Sequence, residues 1–392
     1  MSRVYLDHNA TTPLRPEARD AMLRAMDVVG NPSSVHAEGR SAKAIVEKAR
    51  AQVAALVGCE PTQVVFTGSA TEAAALAVAQ KSQHGGRFAA LPTEHDCFRD
   101  WSEKELPAVH GKAGGVDGHG AGEVMNWIMQ GAPQDWSASH TAAGLLAISA
   151  ANSETGVMSA QGKVAGNHRV NSSRQGTVPY SVVADITQVA GKTSIIYAEE
   201  KPSYAILSGH KLGGPKGVGA LVNFTANDPI AILRGGGQEM GRRSGTENVI
   251  GIAGFGAAAE AAQRDVEAGK WDRVEKLRNI LENALAAASK TTIFVGKEAP
   301  RLPNTSCFIT PGWKGETQVM QMDLAGFAIS AGSACSSGKV KASHVLKAMG
   351  YSEREAASAV RVSLGLDTTE DDVLRFAEVW AQKLKKHEAR AA

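Results

Sequence analysis

The sequence predicts an α/β protein. Its large domain carries a mainly parallel sheet flanked by helices, and a smaller α+β domain is built from both chain ends. Three observations lead there. Between about residues 40 and 255, short apolar runs alternate with helical patterns. The runs are almost continuously apolar, as strands covered on both faces must be. After about residue 256 the alternation stops, and paired helical patterns lead into well-separated strand candidates. The expected division is a large domain over 15–255, with 1–14 and 256–392 forming the small one.

Taken in order, Ser41 to Val57 places Ile45, Val46, Ala49, Val53 and Leu56 at helical spacing. Strands are expected at Val64–Phe66, Phe88–Leu91, Leu145–Ile148, Ser181–Ala184 and Ala205–Leu207, with a further apolar run at Val218–Val222. A helix over Ala70–Lys81 follows the first of them. Gly111 to Ser139 is rich in Gly, Ser and His and weakly patterned, which suits a loop-rich excursion. Beyond it, helices are expected at 256–264, 271–289 and 316–324, and strands at Thr292–Val295, Thr305–Ile309 and Val360–Ser363. The last helix starts at Thr368-Thr-Glu-Asp-Asp372, a hydroxyl cap with an acidic first turn, and runs to about Lys386.

The 392 residues are 43% hydrophobic and 21% charged, with a net charge of +2. That balance gives no reason to expect nucleic acid or an anionic membrane as partner. No apolar run approaches the length of a membrane span, and the first residues lack a secretory pattern, so a cytoplasmic protein is expected. The four cysteines, Cys59, Cys97, Cys307 and Cys335, form no paired spacing that suggests zinc or a disulfide framework. Buried packing is the expectation for the first three.

Chemistry-bearing residues follow the strand candidates, where ligands collect in open α/β sheets. Ser208-Gly-His-Lys211-Leu-Gly-Gly-Pro-Lys-Gly217 sets a lysine between a strand end and a glycine-rich turn. A lysine ordinarily titrates near about 10.4. Desolvation or a cationic neighbour makes it able to form a Schiff base, although a plain surface turn also fits this composition. Thr67-Gly-Ser-Ala-Thr71-Glu joins strand to helix, an arrangement that offers N–H groups to a phosphate or simply caps the helix with Ser69 or Thr71. Asp185, with Gln188 three residues on, could hold a protonated ring nitrogen and a phenolate oxygen, or cap a turn. His95 in Thr93-Glu-His95 could stack on a ring and move protons, or be structural. A phosphate cradle, a pyridinium partner, a stacking imidazole and a Schiff-base lysine together match pyridoxal 5'-phosphate (PLP).

Further motifs make a resemblance specific. Tyr5-Leu-Asp-His-Asn-Ala-Thr-Thr-Pro13, Gly30-Asn-Pro-Ser-Ser34, Phe66-Thr-Gly-Ser-Ala-Thr-Glu72, the lysine motif, and Gly235-Gly-Gly-Gln-Glu239 through Arg243-Ser-Gly-Thr246 resemble the class V aminotransferases of PLP fold type I. Ser330-Ala-Gly-Ser-Ala-Cys335-Ser-Ser and Ser343-His-Val-Leu-Lys-Ala-Met-Gly350 are similar to cysteine desulfurases of the nitrogen-fixation and iron–sulfur-assembly branch. The resemblance implies that L-cysteine is converted to L-alanine and its sulfur passes to Cys335 as a persulfide, then to an acceptor protein such as an iron–sulfur scaffold.

It further implies that Lys211 forms the Schiff base with PLP and moves the substrate α-proton. Ala70, Thr71, Ser208 and His210 would bind the phosphate, and Thr246 would reach the phosphate of the neighbouring subunit in a homodimer. Asp185 would pair with the ring nitrogen, Gln188 with the ring hydroxyl, and His95 would stack over the ring. Arg361 would clamp the substrate carboxylate. No resident metal is implied, Cys335 being at most a transient iron–sulfur ligand.

This chain departs from the family pattern in three places. It has Thr67-Gly68-Ser69 for the usual Thr-Ser-Gly, Asn152-Ser153 for a pair of asparagines at a cofactor contact, and Val183 where a histidine often precedes the aspartate. Rival readings are a selenocysteine lyase, another PLP enzyme of class V, or a non-catalytic sulfur or cluster-assembly protein using Cys335 as a ligand.

Overall fold

A computed structural model describes residues 3–102, 144–159, 162–172, 176–331 and 342–391. The excursion expected at Gly111–Ser139 lies outside them, as does Cys335. The main sheet has seven strands: β2 (Val64–Thr67), β3 (Phe88–Ala90), β4 (Leu145–Ser149), β5 (His168–Ser172), β6 (Gly176–Asp185), β7 (Tyr204–Ser208) and β8 (Gly219–Asn223). Their order is β2-β8-β7-β6-β4-β3, with β5 antiparallel on β6. Strands β3, β4, β6 and β7 run parallel, and β8 is antiparallel to both its neighbours.

The five expected strands form at their expected places, and the apolar run at 218–222 becomes β8. Each is buried on both faces, which is why these runs do not alternate. One apolar cluster covers one face (Val64, Phe66, Leu146, Val182, Leu207), and a second covers the other (Val65, Ala147, Val183, Ile206, Leu221).

Helix α1 (Pro16–Met26) opens with proline at its first position, where the missing N–H costs no bond. Helix α2 (Ala37–Val57) covers the expected 41–57 segment and ends at Gly58 in the left-handed conformation. Helix α3 (Ala70–Ala79) stops two residues short of the expected end. A tighter turn, Gln80–His84, follows because Gln80 is buried and its amide bonds the carbonyls of Leu76 and Ile230. A short helix α4 (Asp96–Arg99) follows β3.

The largest departure is α5 (Val249–Glu267), which begins seven residues before the expected 256. Gly251, Gly254 and Gly256 lower its intrinsic propensity, but they allow close packing. A Cβ on Gly256 would come within 2.5 Å of Ala49 on α2, and one on Gly254 within 2.7 Å of Met22 on α1. Tertiary contact therefore selects the helix. It crosses the position where the sequence pattern changes, and its buried face (Ile252, Phe255, Ala259, Ala262) joins the main-sheet cluster.

The remaining elements surround an antiparallel sheet, β12-β13-β10-β9, made of β9 (Ile293–Phe294), β10 (Thr305–Ile309), β12 (Ser330–Ala331) and β13 (Ala359–Ser363). Helices α6 (Lys270–Ala288), α7 (Gly315–Leu324) and α10 (Glu370–Ala391) accompany it, with the short helices α8 (His344–Ala348) and α9 (Glu353–Ala356). Thr369 and Asp372 cap α10 reciprocally, as its hydroxyl and acidic start predict, and the helix runs five residues beyond Lys386. Phe308, Trp313 and Trp380 form the centre of this core through edge and tilted contacts, each worth about 0.5–1.5 kcal/mol beyond burial.

The chain start ties the two cores together. Strand β1 (Val4–Tyr5) lies parallel to β11 (Phe327–Ala328), and Leu6 is buried in the second core. The strap then bonds β13 at Ser363 and reaches the turn after β7, where the Thr12 N–H donates to the His210 carbonyl and that of Arg15 to Gly213. This strap completes the site.

Candidate active site

Lys211 ends a single helical turn, Gly209–Lys211, directly after β7. Its Nζ donates to the main-chain carbonyls of Asn9 (2.7 Å) and Ala10 (2.8 Å) in the strap. Gly213, at φ +90°, has the Arg15 side chain against its open face, where a Cβ would lie within 2.5 Å of Cγ. Arg15 is fixed in turn by Leu212 O and Asp265. His210 shares a hydrogen bond with Thr11 Oγ1 at 3.1 Å. Burial, with Lys211, Lys216 and Lys192 nearby, pushes its pKa down to about 4, so the ring is neutral at physiological pH. A cavity of about 360 Å³ lies beside Lys211, with His8, Thr12, Lys192 and Trp271 among its walls.

The neighbouring strand supplies Asp185, in register with Ile206 of β7 and Ser149 of β4. Its Oδ1 accepts the Thr187 N–H, so the turn-capping role holds for one oxygen. The same turn brings Gln188 and Lys192 together. Lys192 Nζ donates to Gln188 Oε1 (2.8 Å) and to its carbonyl (3.2 Å), while Gln188 Nε2 donates to Asn9 O (3.1 Å).

The cradle lies on the same edge of the sheet. Gly219 of β8 pairs with Ser208 on one side and Thr67 on the other, so the ends of β2, β8 and β7 are level. Ser69, placed by the Gly68-Ser69 order, caps α3 by accepting the Glu72 N–H. A Cβ on Gly219 would lie 2.6 Å from the Ser69 carbonyl carbon and 2.8 Å from Ala70 N. Glycine there lets the helix N-terminus sit on the strand end, where first-turn N–H groups lack intrahelical acceptors. Ala70 is half-buried and Thr71 exposed. Glu72 accepts the Gly68 N–H and pairs with Arg243 at 2.7 Å, and Thr246 is exposed three residues further on. Residues Glu239 and Met240 sit at φ 49° and 59°, strained for non-glycine residues. The buried Glu239 carboxylate secures that turn by accepting from Arg50 (2.6 and 2.8 Å) and from Phe66 N.

Opposite stands Arg361 of β13, buried at 4% exposure. It donates to Asp7 Oδ1 (2.7 Å) and Ser153 O (2.9 Å), while its buried Nε has no partner among the described residues. Asp7 Oδ2 accepts Ser330 Oγ at 2.9 Å. Asn152 is absorbed by its own turn: Nδ2 donates to Thr93 O, and Oδ1 accepts from the N–H groups of Glu154 and Thr155. His95 caps α4 by accepting the Cys97 N–H and sits half-buried next to Glu94. Burial pushes the carboxyls of Glu94 and Glu154 up to about 7, although each accepts a serine hydroxyl: Ser149 for the first, Ser343 (2.5 Å) for the second. Burial raises the Cys59, Cys97 and Cys307 thiols, as expected of packing cysteines. Among the described residues no cluster could hold a metal.

The geometry thus brings Lys211, Asp185, Gln188, Ser208 and His210 to one edge of the sheet, with the α3 N-terminus beside them. Asn152 and Arg361 face them through the strap and the Ser153 carbonyl. Sequence reasoning missed Asp7, Asn9, Lys192, Glu154 and Ser343. Lys192 left one readable signal, its four-residue spacing from Gln188; Asp7, Asn9 and Ser343 lie within the quoted motifs, but their partners are set by long-range contact. The donor set fits a phosphorylated pyridine aldehyde: Gly219 lets the α3 N-terminus, with its unsatisfied first-turn N–H groups, sit at the strand end, and the buried Arg361 Nε has no acceptor among the described residues.

The aminotransferase class-V family profile matches residues 4–376. A cysteine desulfurase of Frankia sp. is 38% identical over 97% of this chain and 90% of its own length, and one of Klebsiella pneumoniae 34% over 95% and 90%. The NifS-like protein of Rickettsia africae superposes with a TM-score of 0.81 at 27% identity, covering 98% of this chain and 99% of that one. Lysine turn, strand-end carboxylate and family match agree over nearly the whole length: the chain belongs to the class V aminotransferase family, among its cysteine desulfurases.

Proposed function

We propose that this protein is a PLP-dependent cysteine desulfurase, with Cys335 as sulfur acceptor. The observation that carries the reading is Lys211: an amine at a strand end, with Asp185 and Gln188 at the next strand end and an open helix N-terminus alongside. Bound there, PLP would supply an electron sink for the substrate α-carbon. Lys211 would hold its aldehyde carbon and afterwards carry the α-proton. Asp185 would hold the ring nitrogen, Gln188 the ring hydroxyl, and His95 the ring face. The N–H groups of Ala70 and Thr71, with Ser208, His210 and Thr246 of the partner subunit, would hold the phosphate, which requires a homodimer. Asn152 and Ser153 line the approach through their turn.

Arg361 would clamp the cysteine carboxylate, replacing part of its present contact with Asp7 and the Ser153 carbonyl. The thiolate of Cys335 is the attacking form. It forms an S–S bond to the substrate sulfur as the carbon–sulfur bond breaks, and protons return to carbon. The balance is cysteine plus enzyme thiol giving alanine plus enzyme persulfide. That persulfide then passes to an acceptor protein in iron–sulfur or other thio-cofactor assembly. No helix among the described residues is long and apolar enough to cross a membrane.

The test is to reconstitute the purified chain with PLP and add L-cysteine. The reading expects a visible cofactor band, equimolar alanine, and a persulfide mapped to Cys335 by mass spectrometry. Alanine without a Cys335 persulfide, or no alanine at all, overturns it.

A further inference from the structure

We infer that Lys192 is a positioning residue that fixes the orientation of the Gln188 amide against the cofactor ring, an inference resting on the PLP reading above. Lys192 is buried at 3% exposure, yet both its hydrogen bonds go to Gln188 and none to a carboxylate. A buried ammonium without a counter-charge is costly. Its nearest charged neighbours, Lys211 and Arg361, add repulsion, and burial with that repulsion takes its pKa down to about 7.

The hydrogen bonds show what it does. By donating to Oε1, the ammonium turns that oxygen toward itself and leaves Nε2 as the group facing away. Gln188 Nε2 then meets the Asn9 carbonyl, the same oxygen that accepts Lys211 Nζ. Two donors sharing one acceptor are adjacent. In an imine of an ortho-hydroxy aldehyde the ring oxygen lies beside the imine nitrogen, so with PLP held by Lys211 an N–H next to Nζ would face that oxygen. With the amide reversed, carbonyl oxygen would oppose ring oxygen and repel it. Lys192 would exclude the reversed orientation without itself touching the ring, and in its protonated form it would further disfavour protonation of an imine nitrogen there.

The experiment compares wild type, Lys192→Met, Lys192→Arg and Gln188→Ala, and the double variant Lys192→Met/Gln188→Ala, each reconstituted with PLP. The readouts are the pH midpoint of the visible band and the PLP dissociation constant. Lys192→Met is expected to raise the midpoint by about one pH unit and weaken PLP binding about tenfold, since a hydrogen bond to a charged oxygen is lost. Lys192→Arg restores most of both by keeping donor and charge. In the Gln188→Ala background the Lys192→Met shift shrinks. An unchanged midpoint in folded Lys192→Met, or the same shift with and without Gln188, overturns the positioning role while leaving the cofactor reading intact. Should Lys192→Met not fold, an unchanged midpoint in Gln188→Ala overturns it equally. Wild type lacking any visible band at every pH overturns both.

Discussion

The two walls of the site are built in opposite ways. The strand-end wall, comprising 67–72, 185–192 and 208–217, draws each functional group from a short segment that follows its own strand. Adjacent strand ends are level because the sheet register makes Ser208, Gly219 and Thr67 neighbours. The strap wall draws Asp7, Asn9, Ser153, Arg361 and Ser330 from four separate parts of the chain, with partners up to 354 residues apart. The strand-end wall is held by backbone ladders that any apolar strand supplies. The strap wall is held by the Arg361–Asp7 ion pair and by hydrogen bonds to carbonyl and hydroxyl groups, each of which fails if one partner is removed. On the proposed reading, cofactor chemistry would ride on the sheet, whereas substrate orientation would depend on long-range closure.

The largest expected effect breaks the first wall. Lys211→Ala should reduce alanine formation by about 10⁴-fold and abolish the cofactor's visible band, while melting stays near wild type. A steady-state assay alongside a spectrum checks both, and retained turnover would sink the assignment. Arg361→Lys strikes the second wall: the charge beside Asp7 survives but the two-pronged contact is lost. The KM for cysteine should rise about 10–100-fold with a smaller change in kcat. Equal loss in both would show that Arg361 orders the strap instead of binding substrate.

Gly219→Ala sharpens the comparison from inside the cradle. Its Cβ must displace the α3 N-terminus, so equilibrium dialysis should show PLP affinity falling about tenfold, with about 1–3 kcal/mol of overpacking cost. Unaltered affinity would move the phosphate elsewhere. The smallest effect concerns Glu154, whose folded pKa of about 7 stands above its ordinary 4.5. Between those values the folded state binds the extra proton, so stability is full at low pH and is lost as pH rises through 7. Glu154→Gln keeps an acceptor for Ser343 and removes that loss. Its melting temperature should exceed wild type by a few degrees at pH 8 and match it near pH 4.5. A gain equal at both pH values would contradict the raised pKa.

Much of the strand-end wall was legible before any fold was known. A strand ending in Asp185, or a glycine-bounded Lys211, announces itself because apolar runs and turn residues are local signals. The helix over 249–267 was half hidden, since its glycines argue against a helix until Ala49 and Met22 are seen to need the space. Asn152 reads as a contact to the cofactor from its place in the family motif, and only the tertiary structure shows its amide also tying Thr93, Glu154 and Thr155 together. Nothing in the local sequence marks Glu94 and Glu154 as buried, and burial lifts both carboxyls toward neutrality.

By itself the sequence determined the α/β class, the succession of strands, the lysine and its strand-end partners, and the family. These follow from periodicity, turn chemistry and motif order, which act over a few residues. Only the tertiary structure decided that the chain start closes the site, that Arg361 lies against Asp7, and that Lys192 is buried upon Gln188. Those facts arise from competition for buried space and hydrogen-bond partners among distant segments, and no local pattern encodes its outcome.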